Sequence, residues 1–185
     1  VTWGFDYVGN RLSNPGFDSS SVSSQLSSGV TQIFATSMAF AALKDDGSVV
    51  TWGESYESTN DSYKAIDSSS VSSQLSSGVQ KVFSTSLAFA ALKDDGSVVT
   101  WGGSASGGDS STVSSQLSSG VKKIFSTNNA FTALKDDGSV VTWGTIDDRG
   151  SQPTSGVVDI AASSSAFAAL LDDGSIIQWG NTNWG

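Results

Sequence analysis

The hydrophobic positions of the chain recur in four similar modules, which span residues 29–53, 78–102, 120–144 and 156–180. Each module opens with Gly-Val and ends in Trp-Gly, and its first and last glycines are always 24 positions apart. Two short apolar runs and a β-branched run that ends in Trp lie between these marks, as at Val79, Phe89 and Trp101 of the second module. Runs of about four to six such residues predict three β-strands per module.

An Asp-Asp-Gly sequence separates the second and third predicted strands, at residues 45–47, 94–96, 136–138 and 172–174. Glycine tolerates a positive φ and Asp forms local side-chain hydrogen bonds, so this sequence predicts a tight antiparallel hairpin. Turn chemistry accounts for these carboxylates without a metal, and the alternating Asp spacing of calcium loops is absent. We therefore expect neither a metal site nor a cofactor.

A three-stranded sheet that is apolar on both faces cannot bury those faces alone, so neighbouring modules are expected to pack face to face. The predicted fold is all-β, a β-propeller-like array of four stacked repeat blades, with a β-solenoid as the alternative. The tryptophans of the Trp-Gly marks are expected to pack between blades, and a row of sugar-binding platforms is the alternative. They are Trp3, Trp52, Trp101, Trp143 and Trp179.

The connections between modules vary, and span 25, 25, 18 and 12 positions from a Trp-Gly glycine to the next Gly-Val glycine. Three of them contain a Val and a Leu four residues apart, which fits a single helical turn or an outer strand. Because variable loops on a rigid scaffold commonly carry binding residues, the candidate binding residues are Tyr7, Arg11, Tyr56, Tyr63, Lys64 and Arg149. Loop variation without any partner is the alternative interpretation.

Composition restricts the function further. The chain has no Cys and no His, which removes thiolate nucleophiles, the commonest general base and the commonest metal ligands. Nine basic and 18 acidic residues give a net charge of -9, opposite to the charge that nucleic-acid binding requires. No run of 18 apolar residues is present, so no membrane insertion is expected. The low charge density favours an extracytoplasmic or cell-surface location, with an organelle lumen as the alternative.

The string Gly-Val-x-x-Ile-Phe-x-Thr-x-x-Ala-Phe-x-Ala-Leu-Lys-Asp-Asp-Gly-Ser-Val-Val-Thr-Trp-Gly resembles the regulator of chromosome condensation repeat, in a divergent, bacterial-type form. The resemblance covers the four modules, 100 of the 185 residues. It implies propeller blades that bind through loops at the propeller faces. Four modules do not close the ring of seven blades that is common in the family. We therefore interpret residues 1–185 as a single repeat domain from a longer array, or as a small closed ring in which the extra Val-Thr-Trp-Gly strand joins the last blade.

The expected function is that of a non-catalytic protein-binding or structural repeat module of a larger assembly. A secreted, lectin-like propeller that binds carbohydrate is the alternative, and an enzyme is the least favoured interpretation. The partner is thus expected to be a protein, with carbohydrate second and nucleic acid excluded. The exchange-factor activity found in the family is not expected, because the chain lacks the family's second-strand His and the basic surface that chromatin contacts need.

Overall fold

The computed structural model describes residues 18–53, 68–146 and 150–181. Within these ranges the chain forms four three-stranded antiparallel sheets, each with its strands in sequence order. The strands are β1 (Val30–Ala35), β2 (Ala39–Lys44), β3 (Val49–Gly53), β4 (Val79–Ser84), β5 (Ala88–Lys93), β6 (Val98–Gly102), β7 (Val121–Ser126), β8 (Ala130–Lys135), β9 (Val140–Gly144), β10 (Val157–Ala162), β11 (Ala166–Leu171) and β12 (Ile176–Gly180). We number the sheets blades 1 to 4 in chain order. The all-β, propeller-like array of four blades is confirmed, and it is not a β-solenoid.

The Asp-Asp-Gly sequences form the predicted hairpin turns. In blade 1, β2 and β3 pair in antiparallel register from Ala39 opposite Gly53 to Leu43 opposite Val49. The turn closes with a bond of 2.9 Å from the Lys44 N–H to the Ser48 carbonyl. The same closing bond recurs in the other three blades. The hairpin prediction is therefore confirmed in every blade.

Neighbouring blades pack face to face through equivalent positions of the repeat. The second strand of blade 2 contributes small side chains, Ala88 and Ala90, to a cluster that also contains Phe131 and Trp143 of blade 3. Within each blade the Phe and Trp rings stack, with centroids 5.2–5.4 Å apart. Trp52, Trp101, Trp143 and Trp179 are only 2–5% exposed. Their predicted burial is confirmed, whereas Trp3 lies outside the described residues.

The Val and Leu four residues apart belong to a single helical turn and not to an outer strand. Short 3-10 helices occupy Ser20–Val22, Ser69–Val71 and Ser111–Val113. In the second of these segments the Leu75 N–H donates to the Val71 carbonyl at 3.1 Å. Leu75 is buried between blades 1 and 2, and its carbonyl accepts a bond of 2.9 Å from the Val49 N–H of blade 1. The segment therefore fastens consecutive blades together.

Candidate functional site

The turns between the first and second strands of the four blades surround one polar cavity of about 450 Å³. Its lining includes Thr36, Ser37, Thr85, Ser86, Thr127 and Asn128. Among the residues that the structure describes, no charged side chain lines the cavity. It offers hydroxyl, amide and backbone groups, which suit hydrogen bonding to an uncharged polar group. We call this end of the array the turn face.

A ladder of backbone hydrogen bonds runs from blade to blade along these turns. The Ser37 N–H donates to the Ser86 carbonyl at 2.9 Å, and the Ser86 N–H donates to the Asn128 carbonyl at 2.8 Å. The Asn128 N–H continues the ladder to the Ser164 carbonyl at 2.9 Å. A threonine braces each of the first three turns, as where Thr85 Oγ1 accepts from the Ala88 N–H at 3.1 Å. The turns that line the cavity are therefore the same turns whose hydrogen bonds join neighbouring blades.

The variable connections begin at the same turn face. The third strand of a blade ends opposite the start of its second strand, so Gly102 lies opposite Ala88. The next residue is tied to the turn itself, because the Gly103 N–H donates to the Leu87 carbonyl at 2.8 Å. The Thr145 N–H makes the equivalent bond, of 2.9 Å, to the Asn129 carbonyl. A connection therefore starts beside the rim of the cavity.

The connections that precede blades 2 and 3 share one anchor. Thr51 Oγ1 lies 2.8 Å from Ser68 Oγ, and Thr100 Oγ1 lies 2.9 Å from Ser110 Oγ. Between the last glycine of the strand and the anchoring serine there are 14 residues (54–67) in the connection before blade 2 and 7 (103–109) in the connection before blade 3. Seven extra residues are therefore inserted between matched fixed ends.

The structure does not test the six candidate binding residues. Tyr7, Arg11, Tyr56, Tyr63, Lys64 and Arg149 all lie outside the described residues. Tyr56, Tyr63 and Lys64 belong to the inserted segment, whose fixed ends are Gly53 and Ser68. Their role in binding stays a prediction.

Sequence reasoning missed the cavity residues. The signal that could have found them is Thr-x-x-Ala-Phe in the first three modules, in which the two variable residues are Ser-Met, Ser-Leu and Asn-Asn. It also missed a role for the Gly-rich third connection. There the Trp143 Nε1 donates to the Gly107 carbonyl at 3.0 Å, and Thr85 Oγ1 donates to the Ser106 carbonyl at 2.9 Å. This connection thus ties a turn of blade 2 to the tryptophan of blade 3.

The second aspartate of each Asp-Asp-Gly sequence accepts hydrogen bonds within its own hairpin turn. Asp46 Oδ1 accepts from the Ser48 hydroxyl at 2.6 Å and from the Ser48 N–H at 2.9 Å. The bond from the hydroxyl, followed by the bond from the N–H, lowers the pKa of Asp46. The equivalent aspartates of the other blades have lowered pKa values for the same reasons. Each of these carboxylates therefore serves its own turn.

Among the described residues, no group of three or more acidic side chains is arranged to hold a metal ion. None of the helices in the same part of the chain has the length and apolar character needed to cross a membrane.

Solved structures with the same fold include three propellers. Prp20p of Saccharomyces cerevisiae, the yeast RCC1, is 20% identical with a TM-score of 0.53, over 83% of this chain and 44% of that one. Human WBSCR16 is 20% identical with a TM-score of 0.51, over 84% of this chain and 48% of that one. The CRINKLY WD40 ectodomain of the receptor kinase ACR4 from Arabidopsis thaliana is 22% identical with a TM-score of 0.53, over 82% and 51%.

The chain thus spans about half the length of these propellers. No protein-family model matches the sequence, and no curated protein matches it either. The fold is that of an RCC1-like β-propeller. The resemblance to the regulator of chromosome condensation repeat is therefore confirmed at the level of the fold.

Proposed function

We propose that this chain is a non-catalytic protein-binding module, or a structural subunit of a larger assembly, that binds its partner at the turn face. The observation that carries the proposal is the seven-residue insertion between matched anchors, which begins beside the open polar cavity. The blades keep the same internal contacts while the connections differ. Recognition of one partner is expected where the copies differ.

Proteins of the same fold support a protein partner in general terms. Yeast RCC1 (Prp20) has been crystallised with Kap60, and Prp20p has been studied for its binding to Gsp1p and histones. The ACR4 domain is the ectodomain of a receptor kinase. None of these partners is assigned to this chain, because likeness at about 20% identity carries the fold alone.

The chemistry of the site supports binding without catalysis. The part of the cavity lining that the structure describes contains no ionisable side chain that could act as a general acid or base. A carbohydrate platform requires an exposed aromatic ring, and the four tryptophans of the described blades are only 2–5% exposed. A protein partner is therefore proposed ahead of a carbohydrate.

Shortening the inserted connection tests this proposal. Replacing residues 54–67 with the seven residues 103–109 keeps both anchors, because Asp precedes the anchoring serine in each segment. We expect the melting temperature to change little, since loop length affects closure entropy weakly. The affinity for the partner should fall by about 2 kcal/mol or more, the size of an interface hot spot. Calorimetric melting and affinity capture from the source organism, with quantitative mass spectrometry, measure the two effects.

A matched control distinguishes the effect of the side chains on binding from the effect of loop length. In this variant the connection keeps all 14 residues, and Tyr56, Tyr63 and Lys64 become Ser. It should lose the same partner if these side chains form the contact. Unchanged capture by both variants would show that the loop is not the binding surface. Binding of free glycans on an array by the unaltered chain, together with capture of no protein, would favour the lectin alternative.

A further inference from the structure

Blade 4 exposes the apolar surface that each of the other blades buries against the blade that follows it. Leu170 is 43% exposed, whereas Leu92 and Leu134 at the same repeat position are 6% and 2% exposed. Ile176 is 65% exposed, and its counterpart Val140 in blade 3 is 5% exposed. We call this surface of blade 4 the forward face.

Blade 1 exposes the opposite surface, which the other blades bury against the blade before them. Ile33 is 63% exposed, whereas its three counterparts are 1–5% exposed, namely Val82, Ile124 and Ile160. Leu26 and Val30 are only half-buried, while the equivalent Leu75 and Val79 are buried. We call this surface of blade 1 the rear face.

The two open faces have the composition of an interface that already occurs inside the molecule. The forward face repeats the Ala-x-Ala-x-Leu pattern of β5, because Ala166, Ala168 and Leu170 correspond to Ala88, Ala90 and Leu92. The rear face carries Val30 and Ile33 where blade 2 has Val79 and Val82. An apolar pocket of about 190 Å³, lined by Ala161, Ala166 and Ala168 among others, opens on the forward face. At the internal interfaces the ring pair of the next blade packs against such alanines.

The backbone groups at the two faces are complementary as well. At the interface of blades 2 and 3 the Val121 N–H donates to the Gly96 carbonyl at 3.0 Å, and the Ser86 N–H donates to the Asn128 carbonyl. The corresponding groups of the open faces are the Val30 N–H and Ser37 carbonyl on blade 1, and the Gly174 carbonyl and Ser164 N–H on blade 4. Each donor type on one face thus matches an acceptor type on the other. The forward face therefore complements the rear face and not another forward face.

We propose that two copies of this chain associate head to tail, with blade 4 of each copy packed on blade 1 of the other, in a closed ring of eight blades. Two copies together have about the length of the ACR4 ectodomain and of yeast RCC1, of which one chain spans 51% and 42%. A head-to-tail contact that closes on itself gives a ring, whereas one that does not close gives a filament. This pairing does not rest on the proposed function, because it uses the blade faces and leaves the turn face open.

Size-exclusion chromatography with light scattering, at about 10 to 100 µM chain, tests the pairing. The unaltered chain should have a mass of 38.0 kDa, twice 19.0 kDa. Leu170→Lys and Ile33→Lys should each give 19.0 kDa species, because an unpaired ammonium is costly to bury in an apolar contact. We expect the dissociation constant to rise on the order of 100-fold in each variant. Ile176→Lys replaces Leu170→Lys, and Leu26→Lys replaces Ile33→Lys, if the circular dichroism spectrum of the first variant is not native.

Val158→Lys is the matched control. Val158 is 51% exposed. Its counterpart in blade 3, Lys122, is also exposed, although blade 3 packs against blade 2 on one side and blade 4 on the other. The position therefore lies outside the interface between blades, and the control should keep the mass of the pair.

Mixing the two interface variants tests the direction of the contact. The Ile33→Lys copy keeps its forward face and the Leu170→Lys copy keeps its rear face, so one intact contact remains in the mixture and a 1:1 heterodimer should form. An isologous contact would instead leave one of the variants dimeric alone and give no heterodimer. A monomeric unaltered chain, a mass above 38.0 kDa, or variants that stay paired would each overturn the proposal.

Discussion

Phe131→Ala should lower the free energy of unfolding by about 3–5 kcal/mol, the usual cost of removing a buried aromatic ring from a core. Phe131 is 0% exposed, and its ring stacks on Trp143 with centroids 5.4 Å apart. It belongs to the cluster that joins blades 2 and 3, with Ala88 and Ala90 contributed by blade 2. The substitution therefore leaves a cavity inside a blade and weakens its contact with the previous blade. Urea denaturation followed by tryptophan fluorescence measures the loss.

Val158→Ala is the control for that experiment. Its side chain is 51% exposed on β10, and exposed substitutions usually change stability by about 0.5 kcal/mol or less. A loss below about 1 kcal/mol in Phe131→Ala would contradict the packing described for blades 2 and 3.

Gly144→Ala should also be strongly destabilising, by about 2–5 kcal/mol. Gly144 closes β9 with φ of +96°, a conformation that costs an alanine about 1–2 kcal/mol. An added Cβ would lie 2.5 Å from the Asn129 carbonyl oxygen and 2.9 Å from the Ala130 Cα. Both neighbours are backbone atoms of the turn that borders the cavity, so relieving the overlap requires the turn to move.

Gly120→Ala isolates this steric effect. Gly120 also has a positive φ, of +73°, but an added Cβ there would meet only the end of the Lys135 side chain, at the ordinary contact distance of 3.5 Å. It should lose only the conformational cost, about 1–2 kcal/mol. Equal losses in the two variants, measured by the same denaturation experiment, would show that the turn does not depend on the close approach of Gly144.

Much of the scaffold was predictable because its signals are local. The Asp-Asp-Gly turns lie between apolar runs, and a hairpin needs only those few neighbouring residues to be recognised. The burial of Trp101 and Trp143 followed from their repeated position at the end of a strand that is apolar on both faces. The spacing of Val71 and Leu75 alone could not distinguish a helical turn from an outer strand. The hydrogen bond between their backbones depends on packing between blades, which the spacing does not show.

The cavity could not be predicted, because it is formed by turns that lie dozens of residues apart in the sequence. Ser37 and Ser86 are common surface residue types, and they gain a role only when the ladder brings their turns together. A β-bulge early in each first strand was equally hidden, and at Lys122 and Lys123 it lets two consecutive residues be exposed.

A polar contact between blades 3 and 4 also depends on tertiary structure. Thr132 replaces the alanine of other blades, is 0% exposed, and lies with its Oγ1 2.8 Å from Thr142 Oγ1. Thr142 also accepts a bond of 3.2 Å from Trp179 Nε1 of blade 4. In blades 1 and 2 the equivalent threonines bond a serine of the long connection, and the shorter fourth connection lacks that segment. The Thr132 hydroxyl therefore takes the place of that serine as the hydrogen-bond partner of Thr142.

The four blades stack into one array whose turns are joined by a ladder and border the open cavity. Hydrogen exchange read at single amides by NMR tests this stacking most directly. The amides of Ser37, Ser86 and Asn128 should exchange at least about 100-fold more slowly than the exposed turn amide of Asp46, because opening them requires blades to separate. Ladder amides that exchange as fast as Asp46, while the amides of β5 and β8 stay protected, would show blades that fold without stacking.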